Sequence, residues 1–338
     1  MNAIPPSASL LAMHPVPPAP PAPPAPLELL DAGDLAAVER AFRDLLPVGP
    51  GVEAHLRGAL GDLLAHPGSL ARAQLAFGLM SRRGAERDQA LRLAVAVEYF
   101  HTASLVFDDM PAMDDAGERR GHPCVHRVWG EAAATLAALA LVTRGYALLW
   151  EALGPLPAPR RRRAAAIVDE CLGVAGILDG QSRDLHHIAP EPSQHGAAEE
   201  ALAVARGKTV PLIRLALVLP ALAAGVDGAA LANMERLAEA WGLAYQAIDD
   251  FKDLLMDAGE SGKSPARDAL LGRPSLPRAA GCRAALARLR SLLADGRLRV
   301  ATLEVELPEL PPLLDRVQRH LEGERRRVLR RLRAGRRC

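Results

Sequence analysis

From Leu27 onward the sequence is patterned for helix almost without interruption, and this restricts the fold before any single residue is considered. Ala, Leu, Arg and Glu dominate, and apolar residues return at three- and four-residue spacing, as around Leu91, Val95, Val97 and Leu105. Runs of strand type are scarce, and aromatic residues make up only 3% of the 338 positions. Breakers collect between the helical stretches, at Pro47 to Gly51, Pro67-Gly68, Pro111, Gly154 to Pro159, Pro190 to Pro192, Gly259 to Pro265 and Pro274 to Pro277. The pattern predicts an all-α fold of about ten or more helices in one bundle-like domain over residues 27–338, with no internal repeat.

Residues 1–26 are different in kind. They hold ten of the 28 prolines, so an extended, disordered Pro-rich tail is expected there rather than a signal peptide. The 41 basic and 40 acidic residues nearly cancel, which argues against a nucleic-acid binder. Uncharged apolar stretches such as Ala132 to Thr143 fall short of the ~20 residues of a membrane span, so no stable membrane insertion is expected. Four widely spaced cysteines indicate neither a disulfide framework nor a zinc site. A cytoplasmic protein is the expectation. The basic stretch Arg325 to Arg337 reads as a solvated amphipathic helix end.

Two acidic clusters carry the chemistry. Asp108-Asp109, Asp114 and Asp115 close an apolar helical run, and Pro111 between them can end the helix and turn Asp114 back toward Asp108. Asp249, Asp250 and Asp253 lie inside another apolar run, with Asp249 and Asp253 on one helical face. Packed carboxylates repel unless cations neutralise them, and an oxygen-only donor set suits Mg²⁺. One acidic helix end is a common solvated feature; two on separate apolar helices, 141 residues apart, are not. The chain has three lysines among its 41 basic residues, Lys208, Lys252 and Lys263. Arg119-Arg120-Gly121, Gly207-Lys208-Thr209, read as the opening of an apolar helix, and Gly262-Lys263 complete a site for a diphosphate on a hydrocarbon tail, while Lys252 reads as incidental.

These residues resemble the trans-isoprenyl diphosphate synthases, the polyprenyl synthetases. Asp108-Asp109 to Asp114 followed by Arg119-Arg120-Gly121 looks like the family's first aspartate-rich motif, and Asp249-Asp250 to Asp253 after Tyr245-Gln246 looks like the second. Gly180-Gln181-Ser182-Arg183-Asp184, Lys208-Thr209, Lys263, Arg273 and His101 fall where the family has its other motif residues. The resemblance implies a bundle with a deep central cavity, a homodimer, and head-to-tail transfer of an allylic group to isopentenyl diphosphate. It implies Mg²⁺ on Asp108, Asp114 and Asp249, and a leaving diphosphate held by Arg119, Lys208, Thr209, Gln246 and Lys263. Arg72, Arg120 and His101 would hold isopentenyl diphosphate.

One departure stands out. Where the family carries Gly-Gly-Lys-Arg-x-Arg, this chain has Pro67-Gly68-Ser69-Leu70-Ala71-Arg72. Losing the lysine removes a charge-assisted contact worth about 1.5–3 kcal/mol, so a weakened acceptor site is expected. Two rival readings follow: a terpene-synthase-like or altered-acceptor enzyme acting on a prenyl diphosphate, and a non-catalytic regulatory subunit. Product length is expected to be set below Asp108. Ala103 and Ser104, one turn away, are small where farnesyl-stopping relatives place an aromatic floor; Phe100, about two turns away, is favoured over Tyr99 by helical phase. A mainly geranylgeranyl product is the expectation.

Overall fold

The computed structural model describes residues 27–187, 196–255 and 272–334. The Pro-rich stretch 1–26 and Lys263 lie outside the described residues.

Local chemistry sets the helix boundaries. Helix α1 (Ala32–Asp44) starts where the Asp31 carboxylate accepts the Asp34 N–H, and α2 (Ala54–Ala65) where Glu53 accepts the N–H groups of His55 and Leu56. Next comes α3 (Ala71–Arg82), whose first residue follows Leu70 in the left-handed region, with no cap from Leu70 itself. The central α4 (Arg87–Asp109) stops just before Met110 and Pro111. A hairpin of two-residue strands, β1 (Glu118–Arg119) and β2 (His122–Pro123), leads into α5 (Val125–Trp129) and the long α6 (Glu131–Leu153). After α7 (Ala158–Leu172) a π-helical turn, Val174–Leu178, precedes α8 (Asp179–Leu185). Then follow α9 (Ala197–Lys208), α10 (Val210–Ala223) and α11 (Gly228–Leu255). The chain closes with α12 (Leu276–Ala280), α13 (Cys282–Glu306) and α14 (Pro311–Arg333). The all-α expectation holds; among the described residues the hairpin is the only sheet.

The core is built around α4. Every residue from Leu93 to His101 is buried, against α1, α3, α6 and α10. A second packing centre joins α11 to α10, α13 and α14, where Trp241 donates its ring N–H to Gln318 at 2.8 Å. By length and composition α4 and α6 are each apolar enough to cross a membrane, which the uncharged-run criterion did not anticipate. In the fold they pack on one another. Cys124 and Cys171 are buried free thiols.

One close crossing shapes the site. Gly180 of α8 lies against Gly207 of α9 so tightly that a Cβ on Gly180 would sit 2.1 Å from the Gly207 carbonyl carbon. The reading of Gly207-Lys208-Thr209 as the opening of an apolar helix holds in that Thr209 is the N-cap of α10, although the two residues before it belong to α9. Gly207 and Lys208 end α9, and the glycine is there for backbone contact.

Candidate active site

The end of α4 presents Asp108 and Asp109, and the chain then folds back as Pro111 predicts. The Asp114 N–H donates to the Asp108 carbonyl at 2.9 Å and the Ala116 N–H to the Asp109 carbonyl at 3.1 Å. The two adjacent acids have different tasks. Asp109 is buried and receives a two-pronged ion pair from Arg119, with Nε at 2.9 and 2.8 Å from its two oxygens and Nη2 at 2.6 Å. Asp108 instead faces Lys208, whose Nζ lies 3.9 Å away. Burial raises the Asp108 pKa; Lys208 pulls it down, and the neighbouring acids Asp114 and Asp184 push it up again. A carboxylate so placed calls for a cation.

The second cluster divides in the same way. Asp249 and Asp253 are both half-buried on α11, with Arg278 of α12 3.6 Å from Asp253. Asp250 is buried and accepts the Gln246 amide and the Leu276 N–H, each at 2.8 Å. Lys252 takes no part; it pairs with Glu324 of α14 at 2.7 Å.

The α9–α10 junction joins the clusters. Lys208 donates to Asp184 of α8 at 2.6 Å while facing Asp108. Its neighbour Thr209 donates its hydroxyl to Gln246 at 2.6 Å, and Gln246 holds Asp250. A second bridge is Arg273, buried, which donates to Asp114 at 2.7 Å, to the Asp184 carbonyl at 2.8 Å and to the Met113 carbonyl at 3.3 Å. Three residues later the chain supplies the Leu276 N–H to Asp250. Burial opposes the charge on Lys208, but Asp108 and Asp184 outweigh it and raise its pKa. A cavity of about 280 Å³, lined by Ala112, Met113, Leu185, His186 and Arg273, opens beside these residues.

Among the described residues no three His, Cys, Asp or Glu are grouped closely enough to hold a metal ion by themselves. Mg²⁺ takes one or two carboxylates and completes its shell with water and phosphate oxygens. Asp108, Asp114 and Asp249 fit this donor chemistry, and at the first cluster Lys208 and Arg273 supply the positive charge that its carboxylates require.

The acceptor candidates gather about two turns back along the same α4 face, near the middle of the helix. Glu98, His101, Leu105 and Asp108 recur at three- and four-residue spacing, with His101 about 10 Å along the axis from Asp108. Burial, reinforced by Arg72, Arg120 and Arg119, lowers the His101 pKa well below its usual value, so the ring is neutral. Arg72 Nε and His101 Nδ1 are buried without hydrogen-bond partners. The Arg120 guanidinium lies over Gly68, where a Cβ would come within 1.8 Å of Nη1, and Gly68 itself has φ +72°. Ser69 is exposed on this loop. Glu98, at the centre, accepts the Ala73 N–H at 2.9 Å. Burial raises its pKa, against the pull of Arg72, the Ala73 amide and Arg120.

Of the length-setting candidates, Ala103 is buried and Ser104 half-buried, donating its hydroxyl to the His101 carbonyl at 2.8 Å. Phe100 faces α6: it rests on Gly145 and meets the Tyr146 ring edge-on, with centroids 5.0 Å apart. Tyr99 turns to α1, where its hydroxyl donates to the Phe42 carbonyl at 2.7 Å. Two residues escaped the sequence reading of the site, Asp184 and Glu98. Asp184 lay within a quoted motif without a role. Glu98 gave one signal, a carboxylate in an otherwise apolar run three residues before His101.

Comparison with known proteins agrees with this geometry. The sequence profile of the polyprenyl synthetase family matches residues 53–304. A geranylgeranyl diphosphate synthase from Pantoea ananas is 33% identical over 261 residues, 77% of this chain and 83% of the relative. A farnesyl diphosphate synthase from Escherichia coli is 38% identical over 208 residues, 60% of this chain and 68% of the relative. A geranyltransferase from Helicobacter pylori, solved with magnesium and isoprenyl diphosphate, superposes with a TM-score of 0.72 over 87% of this chain and 99% of that one; at 23% identity it speaks for the fold. Profile, relatives and fold converge with two aspartate clusters brought together by neighbouring residues, and the chain therefore belongs to the polyprenyl synthetase family of prenyltransferases.

Proposed function

We propose that this prenyltransferase condenses isopentenyl diphosphate head to tail with an allylic diphosphate, using Mg²⁺ at Asp108, Asp114 and Asp249. The observation that carries the reading is the pair Lys208-Thr209, adjacent residues of which Lys208 faces Asp108 and Thr209 bonds to Gln246, which holds Asp250. Mg²⁺ bound at these acids would draw charge from the allylic diphosphate and help it leave. Lys208 then steadies the departing diphosphate from one side. Arg119, whose Nε and Nη2 are held by Asp109, would add a second positive charge for it. Thr209 and Gln246 orient each other at the rim, and Arg273 keeps the Asp114 turn in register. The allylic cation alkylates the double bond of isopentenyl diphosphate, and the departing diphosphate is the base that takes the proton lost as the new double bond forms.

The unpartnered Arg72 Nε and neutral His101 Nδ1 support an acceptor diphosphate beside Arg120. The exposed Ser69 favours a second reading, in which the allylic diphosphate ionises with no acceptor. Incubating the protein with Mg²⁺, isopentenyl diphosphate and each allylic diphosphate separates them. Condensation yields prenyl diphosphates longer by five carbons or multiples of five; the second reading yields alcohols or cyclic products without incorporation of isopentenyl diphosphate.

For the product, geranylgeranyl diphosphate is the proposal. Supporting it are the small residues Ala103 and Ser104 and the position of Phe100 as the next aromatic along α4, with Tyr99 committed to α1. A homodimer is proposed through α6, where Leu136, Leu139, Thr143, Tyr146 and Trp150 are exposed at heptad spacing. Sedimentation of the wild type against Leu139→Asp tests it: a dimer that falls to monomer supports the seam.

A further inference from the structure

The acceptor side depends on a buried carboxylate with no assigned task. α3 begins after Leu70 at φ 50°, a conformation that leaves no side chain of its own to cap the first turn. The cap comes from another helix. Glu98 of α4 accepts the Ala73 N–H at 2.9 Å, and the Arg72 N–H also faces its carboxylate. The same carboxylate attracts the side chains of Arg72 and Arg120, two cations that repel each other. Arg120 is itself in the left-handed region (φ 56°), and its guanidinium covers Gly68 of the loop that leads into α3.

We propose that Glu98 is the positioning residue of the acceptor site: by capping α3 from α4 it fixes Arg72 and draws Arg120 over Gly68, so that both guanidiniums converge on the acceptor diphosphate. This rests on the acceptor reading above. The sign of the effect is not trivial. A carboxylate beside an anion site repels the ligand, so Coulomb's law alone predicts that neutralising Glu98 tightens acceptor binding. Loss of positioning predicts weaker binding. The two accounts differ in direction.

The test is steady-state kinetics on the full chain with Mg²⁺, varying isopentenyl diphosphate at saturating allylic substrate, together with calorimetric binding of isopentenyl diphosphate. Glu98→Gln is expected to raise the acceptor KM about tenfold, as for one lost charge-assisted contact, while kcat and the allylic KM stay within about twofold. Glu98→Asp, which keeps the charge and shortens its reach, should raise the acceptor KM as well. In the double variant, Glu98→Gln should add little to Arg72→Ala, because it acts through that residue. An unchanged or lower acceptor KM in folded Glu98→Gln overturns the proposal, and so do parallel losses in kcat and both KM values. If both Glu98 variants fail to fold, the residue serves the fold and the proposal falls. Wild-type protein that neither elongates nor binds isopentenyl diphosphate overturns the acceptor reading together with this proposal. A wild type that binds well beside an indifferent Glu98→Gln overturns this proposal alone.

Discussion

Asp108 and His101 stand seven residues apart on one face of α4, and their surroundings are built on opposite plans. Around Asp108 charge answers charge: Asp109 with Arg119, Asp184 with Lys208, Asp114 with Arg273. Around His101 the groups wait. Arg72 Nε and His101 Nδ1 are buried without partners, a neutral ring stands among arginines, and serine occupies the place of an expected lysine. A polar region that satisfies itself can form before substrate arrives, whereas one with orphaned donors is completed by its ligand. The side proposed to hold metal is thus preassembled, and the side proposed to hold the acceptor would be finished by binding.

The strongest way to break this contrast is to separate acids that act on substrate from acids that hold the frame. Asp108→Asn and Asp249→Asn should each lower kcat by on the order of a thousandfold, in line with loss of a transition-state charge partner, with thermal stability nearly unchanged. Asp109→Asn breaks a buried ion pair instead and should destabilise the fold by about 3–5 kcal/mol. Asp250→Asn, which loses hydrogen bonds to neutral donors, should cost about 1–3 kcal/mol. Turnover and urea unfolding measured on the four variants decide the matter. A thousandfold loss of turnover in stable Asp109→Asn would place that residue on the metal and undo the division.

On the acceptor side the expected effect is smaller and opposite in sign. Ser69→Lys should lower the KM for isopentenyl diphosphate about tenfold or more, one charge-assisted contact regained, and leave the allylic KM alone. Kinetics with each substrate varied in turn will show it. Abolished activity, or a changed product with no acceptor effect, would mean that the loop serves another purpose and would favour ionisation without an acceptor.

Much of this molecule could be read in advance, and the unread part has a physical pattern. Helical periodicity and breakers marked the helices because both act locally; Pro111 announced the return of Asp114 for the same reason. The division within each aspartate pair was hidden, since Asp109 is claimed by Arg119 ten residues on, past the turn that ends α4, and Asp250 by an amide 26 residues away. Both pairs read simply as two adjacent acids. Glu98 was concealed similarly, as a common helix residue whose meaning comes from the uncapped start of α3. The close crossing at Gly207 was hidden because its neighbour Gly180 belongs to a different helix. Periodicity identified α6 as helix but not which of its faces stays exposed.

Product length probes the space between the two sides. Ala103 is buried, so Ala103→Tyr must displace packed core before it can block a growing chain. Half-buried Ser104 is the cleaner probe, nearer in helical phase to Asp108. Ser104→Phe should shift the main product one isoprene unit shorter, toward farnesyl diphosphate, and Phe100→Ala one unit longer. Chromatography of dephosphorylated products reads both. An unchanged distribution in both variants would mean that the chain does not run along this face of α4.

The smallest effect tests whether the acceptor side is as dry as its orphaned groups imply. Burial and the nearby arginines depress the His101 pKa, so the folded protein holds this ring neutral where the unfolded chain would protonate it, near pH 6.5. Below that value the unfolded state binds the extra proton, and unfolding becomes easier as pH falls toward the folded pKa. Between pH 7.5 and 5.5 this linkage should remove about 1.4 kcal/mol of stability. His101→Gln cannot titrate, so its stability should fall less over the same interval by about that amount, measured by urea unfolding at both pH values. Saturating isopentenyl diphosphate should shrink the difference, because a diphosphate beside the ring favours the protonated form that burial opposes. Equal pH dependence in wild type and variant would show that the ring already reaches water or a compensating charge. The side proposed for the acceptor would then be as self-satisfied as the side proposed for metal, and the contrast between the two sites along α4 would be lost.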